Sequence, residues 1–351
     1  MALHQSIQRV LLIGSRLHIP PPPPAASPPE RLLPLIEALA PAHLMFDARA
    51  VHYGHRYRSG FWAIYLLSAL AVLFAVLPLA LGWDDRRHLL HPYVGLWALA
   101  EVVVIGTVSG IYWVGHRRDW QGQWLRARTA AELIWYLPLV APLIDFSQPE
   151  PSANWYMRVF DPGNHLRSGD ELEAICAKNE SLARTLLDAA WSDPAFITKY
   201  AVWTTGILEA QAHYHHRVAV KQHALLHRVH SLNIGLFGLT AFGALLHLAL
   251  HTVWLSLLTT FFPALGASLH GALAQSEAYR LGSTSERLWG ELQRAVGSIR
   301  ATLEPHGSAE PHGSAARAEP VKESIMAAIE LILEEHQDWH MLVRPHHLPL
   351  A

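Results

Sequence analysis

Residues 92–138, PYVGLWALAEVVVIGTVSGIYWVGHRRDWQGQWLRARTAAELIWYLP, decide the fold of this chain. The part up to Gly115 is apolar apart from Glu101. It is long enough to cross a bilayer, because about 20 helical residues span the hydrocarbon core. No proline or glycine cluster follows, so the same helix is predicted to continue beyond the membrane. There it becomes basic and amphipathic, which is typical of a stalk that transmits a signal or supports a pore (Arg117, Arg118, Arg126, Arg128, Trp120, Trp124 and Trp135).

Three other segments are apolar enough to be spans, at residues 61–82, 231–250 and 252–274. The polar connection GWDDRRHLLHPY joins the first of them to the span that contains Glu101. The last two meet at a tight turn around His247–Val253, because about 44 mostly apolar residues are too many for one crossing. We therefore predict an all-α membrane protein with two transmembrane helical hairpins, four spans in total, and long cytoplasmic helical stalks.

This pattern divides the chain into six parts. They are a proline-rich leader (1–43), a first hairpin with stalks (44–140), a loop and soluble helix (141–194), a second hairpin with stalks (195–303), a linker (304–320) and a C-terminal amphipathic helix (321–351). The linker contains the duplication EPHGSAEPHGSA. The last helix is predicted to bury Ile325, Ile329 and Ile332 on one side, and Pro41 is predicted to break the helical pattern of residues 30–59.

Composition favours a membrane protein with sizeable soluble parts. The chain has 351 residues, of which only 16% are charged, and a mean hydropathy of +0.15. Its net charge of −2 gives no sign of the basic surface that is typical of a nucleic-acid-binding protein. The single cysteine, Cys176, excludes an internal disulfide and a CxxC metal or redox pair. We expect it to be an ordinary buried thiol.

Residues 7–14, IQRVLLIG, are predicted to form one buried β-strand, because an apolar run ends at a glycine. The strand followed by Gly14-Ser15-Arg16 resembles the opening of the SLOG family of Rossmann-like nucleotide-sensing domains. A proline run interrupts the βα unit that should follow, and a complete unit needs some 30 residues or more. The alternative is a flexible proline-rich leader.

The positive-inside rule predicts the topology. The lysine and arginine residues beside the spans fall on the side that holds both termini, whereas Arg86 and Arg87 on the opposite side are offset by Asp84 and Asp85. Both termini and all soluble segments are therefore expected in the cytoplasm.

Glu101 is the sharpest single feature, because a carboxylate inside a span is costly and usually faces a bundle interior or water. One interpretation places it in a pore or ion path. The alternative places it near the outer headgroups or in a structural hydrogen bond.

Several histidines are further polar candidates in the membrane. His247 and His251 are four residues apart, a spacing that suits a metal or a proton relay, but 24 histidines make chance pairs common. His270, between Gly266 and Gly271, is predicted to lie at a close helix contact. We predict no metal site and no cofactor, and no Walker, HExxH or nucleophile-elbow motif indicates an enzyme.

The segments FDARAVHYGHRYRSGFWAIYLLSALAVLFAV, ALAEVVVIG and HRRDWQGQWLRARTAAELIWYLPL together resemble the SLATT family of two-span membrane effectors associated with SMODS and SLOG domains. The stalk pattern W-x₃-W-x-R-x-R-x₂-AE contains Trp120, Trp124, Arg128 and Glu132, which we expect to pack between stalks. WTTGILEAQAHYHHRVA and the hairpin after it resemble the second membrane half of longer members.

The resemblance implies an oligomeric, pore-forming effector of a bacterial conflict or antiviral defence system. Such effectors lie in a bacterial inner membrane and are triggered by a nucleotide sensor or another sensor domain. This sequence departs from the family pattern in having almost no N-terminal sensor, which leaves the trigger open, and a separate nucleotide-sensing partner is one candidate. The expected partners are therefore the lipid bilayer, further copies of the chain and that sensor, with no nucleic acid. The alternatives are a secondary transporter or housekeeping channel, and a non-conducting membrane scaffold.

Overall fold

The computed structural model describes residues 2–15, 17–144, 170–187, 190–250, 252–304 and 315–342. Over these ranges the chain is 87% helical and has no strand, which confirms the all-α prediction. The described α-helices are α1 (Leu3–Leu11), α2 (Leu33–Ala80), α3 (Val94–Arg117), α4 (Trp120–Val140), α5 (Asp170–Leu187), α6 (Pro194–Leu250), α7 (Leu255–Gln275), α8 (Ala278–Leu303) and α9 (Ala315–Leu342). Most of the EPHGSA duplication lies outside the described residues.

Four of these helices are long and apolar enough to cross a membrane, namely α2, α3, α6 and α7. They contain the four predicted spans, so the prediction of a multi-pass membrane protein agrees with the structure. α6 ends at Leu250 and α7 begins at Leu255, so a short connection, residues 251–254, separates the last two candidate spans where a tight turn is predicted.

In the first half of the molecule, α2 packs against α3 and α4, which both run antiparallel to it. The contacts follow in order along α2: Phe74 meets Trp97 with ring centroids 5.4 Å apart, Gly60 lies beside Trp120, and Tyr57 stacks on Trp124 at 5.7 Å. One uninterrupted 48-residue helix is thus matched by two shorter ones placed end to end.

The prediction of one continuous helix from the second span into its stalk is wrong, because the helix breaks at Asp119. The backbone of Asp119 is in the left-handed helical region, with φ of 45°, a conformation that aspartate tolerates better than most residues. Its carboxylate accepts a hydrogen bond from the Gly122 amide at 3.1 Å and caps α4. A Cβ at Gly122 would lie 2.3 Å from that carboxylate, so the glycine makes the cap possible.

The second half repeats this order of elements. α6 packs antiparallel against α7 and then α8, with Asn233 beside Gly266 and His223 beside Gly282. The change from α7 to α8 occurs at Glu277, which is left-handed with φ of 53°. Asp119 and Glu277 are the non-glycine residues with positive φ in the described chain, and they occupy equivalent positions in the two halves.

The two halves meet along α2 and α7. The ring of Tyr65 fills the space where a side chain on Gly271 would stand, 2.5 Å from the Cβ position. Near the end of α7 the Gln275 side-chain amide donates a hydrogen bond to the Tyr57 hydroxyl at 2.9 Å. The glycine therefore permits the close approach of the two helices.

Away from the spans, both halves share one hydrophobic core with α5 and α9. Ile325, Ile329 and Ile332 of α9 are buried in it, as predicted. Cys176 of α5 is also buried, in agreement with its interpretation as an ordinary thiol, and burial raises its pKa to about 12.

Two other local predictions are wrong. Residues 7–14 do not form a strand: Leu3–Leu11 is a helix, because His4, Ile7 and Leu11 lie on one face at helical spacing and pack on the molecule. Pro41 lies inside α2 rather than ending it. Its ring is on the exposed side, and the burial of Leu39 and Phe46 on the opposite side offsets the lost hydrogen bond.

The contact between α2 and α4 yields a test with a matched control. A Cβ at Gly54 would lie 2.9 Å from the Trp124 ring, whereas Gly290 of α8 has open space around it. We expect Gly290→Ala to stabilise the protein by about 0.5–1 kcal/mol, as alanine does within a helix. Gly54→Ala should instead destabilise it by about 1–3 kcal/mol through overpacking. Thermal unfolding in detergent measures both, and equal shifts would show that the Trp124 ring moves freely.

Candidate functional site

Glu101 lies in the third helix, about 10 Å along the axis from its beginning. Its side chain is half-buried. Trp97, one turn earlier on α3, contacts Phe74 of α2, so Glu101 lies on the side of α3 that faces α2. Among the described residues, none forms an ion pair or a hydrogen bond with its carboxylate. The structure thus places a lone acidic group at the seam of the first two spans.

Glu101, His247 and His270 lie on three different helices, α3, α6 and α7. His247 is exposed at the end of α6, where its Nδ1 lies 3.2 Å from the Thr252 carbonyl and holds the turn. His251 lies outside the described residues. His270 is exposed on α7, so the prediction that it sits at a close helix contact is wrong. The neighbouring Gly271 makes that contact, with Tyr65.

The four predicted stalk residues follow α4 from its beginning. Trp120 is half-buried against Gly60, and Trp124 is 8% exposed and stacked on Tyr57. Arg128 and Glu132, one turn apart, form an ion pair. Trp120 and Trp124 join α4 to α2, and Trp124, Arg128 and Glu132 also line a cavity shared with the second half.

This cavity has a volume of about 790 Å³ and lies between the two halves, beside the ends of the spans. Its walls come from α1, α2, α4, α6 and the α7–α8 junction, with Leu17 and Ile19 closing one side. Sequence analysis assigned no site here, because the walls come from residues more than 200 positions apart. One feature of the sequence does indicate a basic surface: the stretch from His213 to Leu250, which contains Arg217 and Lys221, has no carboxylate.

The cavity is lined by five lysine or arginine residues and three carboxylates. Two of the carboxylates are already neutralised, because Glu132 pairs with Arg128 and Glu277 lies 3.8 Å from Arg280. The other three cations, Arg58, Arg217 and Lys221, form no ion pair with any described residue. Burial lowers the pKa of Lys221, and the positive charges of Arg58 and Arg217 lower it further.

Aromatic rings hold two of these cations in place. The Arg58 guanidinium carbon lies 4.7 Å from the centroid of the Trp124 ring, and that of Arg217 lies 5.9 Å from the Tyr214 ring. Arg58 retains accessible surface, and this surface opens into the cavity. Burial also lowers the pKa of its guanidinium, but arginine remains charged.

The first helix covers one side of the cavity. His4 of α1 is 3% exposed, and its Nδ1 lies 3.2 Å from the Ser59 hydroxyl of α2. Burial lowers the pKa of His4 to about 4, and the positive charges of Arg58, His55 and Lys221 act in the same direction. Neutral His4 therefore holds α1 against the basic wall. Sequence analysis placed this segment in a leader and missed its role.

Nothing in the described part of the chain groups three or more histidine, cysteine or acidic residues as a metal site would require. Comparison of the chain with protein-family models, curated proteins and solved structures found no match. The site's chemistry is therefore inferred from its own residues: a basic cavity with aromatic walls.

The low pKa of His4 predicts that α1 loosens in acid. Below pH 6.5 the released helix takes up a proton on His4, whereas the docked helix does so only near pH 4. Docking should therefore weaken as the pH falls from about 6.5 to about 4, by roughly 3 kcal/mol in total at 1.36 kcal/mol per pKa unit. Hydrogen exchange of residues 3–11, corrected for intrinsic rates, should show up to a ~300-fold loss of protection, since each pKa unit is a factor of ten.

The control is His4→Gln, which is neutral at every pH. Its α1 should exchange with little dependence on pH over this range. The same acid-induced loss in His4→Gln as in the wild type would assign the effect to other groups.

Proposed function

We propose that this protein is an oligomeric membrane effector that opens a pore or disrupts the membrane in a bacterial nucleotide-linked conflict or defence system. It sits in the inner membrane with both termini in the cytoplasm. A separate nucleotide-sensing partner acts on it. The support is the resemblance of its spans and stalk to SLATT effectors, together with four helices long and apolar enough to cross a bilayer.

The observation that carries the pore proposal is the setting of Glu101. A carboxylate in a span is costly unless it reaches water or a partner, and no described residue pairs with it. The window of α3 that would cross the membrane is only 11% buried within one chain. An oligomer that places this seam beside a water-filled lumen removes the cost, and a ring of carboxylates there attracts cations.

In this proposal the helices form two hairpins with cytoplasmic stalks. α2 and α6 are continuous from the stalk into the span, so a displacement of their cytoplasmic ends reaches the membrane along a stiff rod. The returning helices are interrupted at Asp119 and Glu277. Those two breaks are where the stalks bend relative to the spans when the partner rearranges them.

Ion flux into liposomes that contain the purified protein tests the proposal. We expect the wild type to conduct cations in preference to anions. Glu101→Gln should insert and assemble normally but lose much of this preference, since the amide is of similar size and uncharged. Glu37→Gln, which removes an exposed carboxylate of α2 outside the span, is the control and should conduct as the wild type does.

Each contrary outcome has a defined meaning. Absence of flux would favour a non-conducting scaffold, and flux that saturates with a single substrate would favour a transporter. Equal selectivity of the wild type and Glu101→Gln would remove Glu101 from the ion path.

The topology can be tested by cysteine labelling in intact cells, in a background that carries Cys176→Ser. Leu89, in the connection between the first two spans, is 87% exposed, and Glu319 of α9 is also exposed. A membrane-impermeant maleimide should label Leu89→Cys from outside and should label Glu319→Cys only after lysis. The reverse pattern would place both termini outside the cell.

A further inference from the structure

We propose that the cavity between the two halves binds a phosphate-bearing anion, held by Arg58, Arg217 and Lys221. This inference rests on the cavity alone and does not depend on whether the protein conducts ions. Free phosphate compounds and the phosphate of a lipid headgroup share the chemistry, and the cavity lies beside the ends of the spans, where both are accessible.

The cavity wall carries positive charge from both halves of the molecule. Arg217 and Lys221 are four residues apart on α6, so they project from one face of that helix. Arg58 reaches the same cavity from α2, in the other half of the molecule. Burial lowers the pKa of Lys221, and the positive charges of Arg58 and Arg217 lower it further, as expected for like charges that share one cavity. A doubly charged anion between the two helices relieves the repulsion.

The size of the cavity suits a small ligand. Its volume of about 790 Å³ falls within the 300–1,000 Å³ typical of small-molecule sites. Lys221 is half-buried at the wall, and charge–charge attraction is stronger there than at an open surface, because less water screens it. A cavity of this size admits a small molecule or a single headgroup. It does not admit a nucleic-acid duplex.

The geometry of the two arginines also suits a phosphate. The Arg58 guanidinium carbon lies over the Trp124 ring and that of Arg217 lies over the Tyr214 ring, 4.7 Å and 5.9 Å from the ring centroids. These cation–π contacts hold both side chains at the cavity wall, and the fork of N–H donors on a guanidinium matches two phosphate oxygens. Lys221 adds a compact point charge. A cationic ligand is disfavoured, since Asp47 is the one lining carboxylate without an ion pair among the described residues.

The test uses the full-length protein in nanodiscs of phosphatidylcholine, with pyrophosphate as the probe. Pyrophosphate should raise the melting temperature of the wild type, because a ligand that binds only the folded state stabilises it. The double variant Arg58→Gln/Lys221→Gln should bind pyrophosphate at least tenfold more weakly. Arg56→Gln, an exposed arginine of α2 that does not line the cavity, is the matched control and should bind as the wild type does.

A second arm replaces pyrophosphate with lipid. Nanodiscs that contain phosphatidylglycerol should raise the melting temperature of the wild type and Arg56→Gln, but not of the double variant, if the anion is a headgroup. A response to pyrophosphate alone identifies a free compound, and a response in either arm that the double variant loses supports the site. The inference is overturned if neither probe stabilises the wild type, or if every probe that does so stabilises the double variant equally.

Folding is controlled separately. Without ligand, the double variant should melt at or above the wild-type temperature, because two repelling charges are removed. If it does not fold, the single variant Arg217→Gln is used instead, since Arg217 is exposed on the cavity wall. It too should bind pyrophosphate at least tenfold more weakly, and unchanged binding would overturn the proposal. A protein that binds the probe but conducts no ions would contradict the pore proposal and leave this inference intact.

Discussion

The constraint on which this structure depends is that backbone amides in hydrocarbon have no water to bind. A chain that crosses a bilayer as single helices must keep every helical hydrogen bond within its spans. The two left-handed residues, Asp119 and Glu277, accordingly lie just beyond the ends of the returning spans rather than within them. Proline occurs inside two of the apolar helices, Pro78 in α2 and Pro263 in α7, and membrane spans tolerate it where neighbouring groups satisfy the freed carbonyls.

The spans and the final helix could be predicted from sequence, because a long apolar run or a regular stripe of isoleucines carries its own information. The break at Asp119 could not be predicted from the absence of proline and glycine clusters. It depends on an aspartate that caps the next helix and on a glycine three residues later that leaves room for it. The same residues, with other neighbours, could lie within a continuous helix.

The wrong prediction of a strand at residues 7–14 has a different cause. A short apolar run is ambiguous between strand and helix, and the outcome was decided by a partner that the local sequence does not contain: the face formed by Ser59 and its neighbours on α2. The basic cavity was beyond prediction for a similar reason. Arg58 and Lys221 are 163 positions apart in the sequence, and only the packing of α2 against the second half brings them to one space. From the sequence alone, these basic residues indicated only the side of the membrane on which they lie.

The repetition of one order of helices in both halves has a consequence for symmetry. Each half consists of a long helix, a returning span, an acidic left-handed residue and a returning helix outside the span. The second half has no counterpart of Glu101, because α7 contains no acidic residue. A closed ring of n such chains would thus present 2n similar helix pairs but only n carboxylates. Its lumen would alternate between charged and neutral sectors, with half the charge density that a ring built from the first half alone would have.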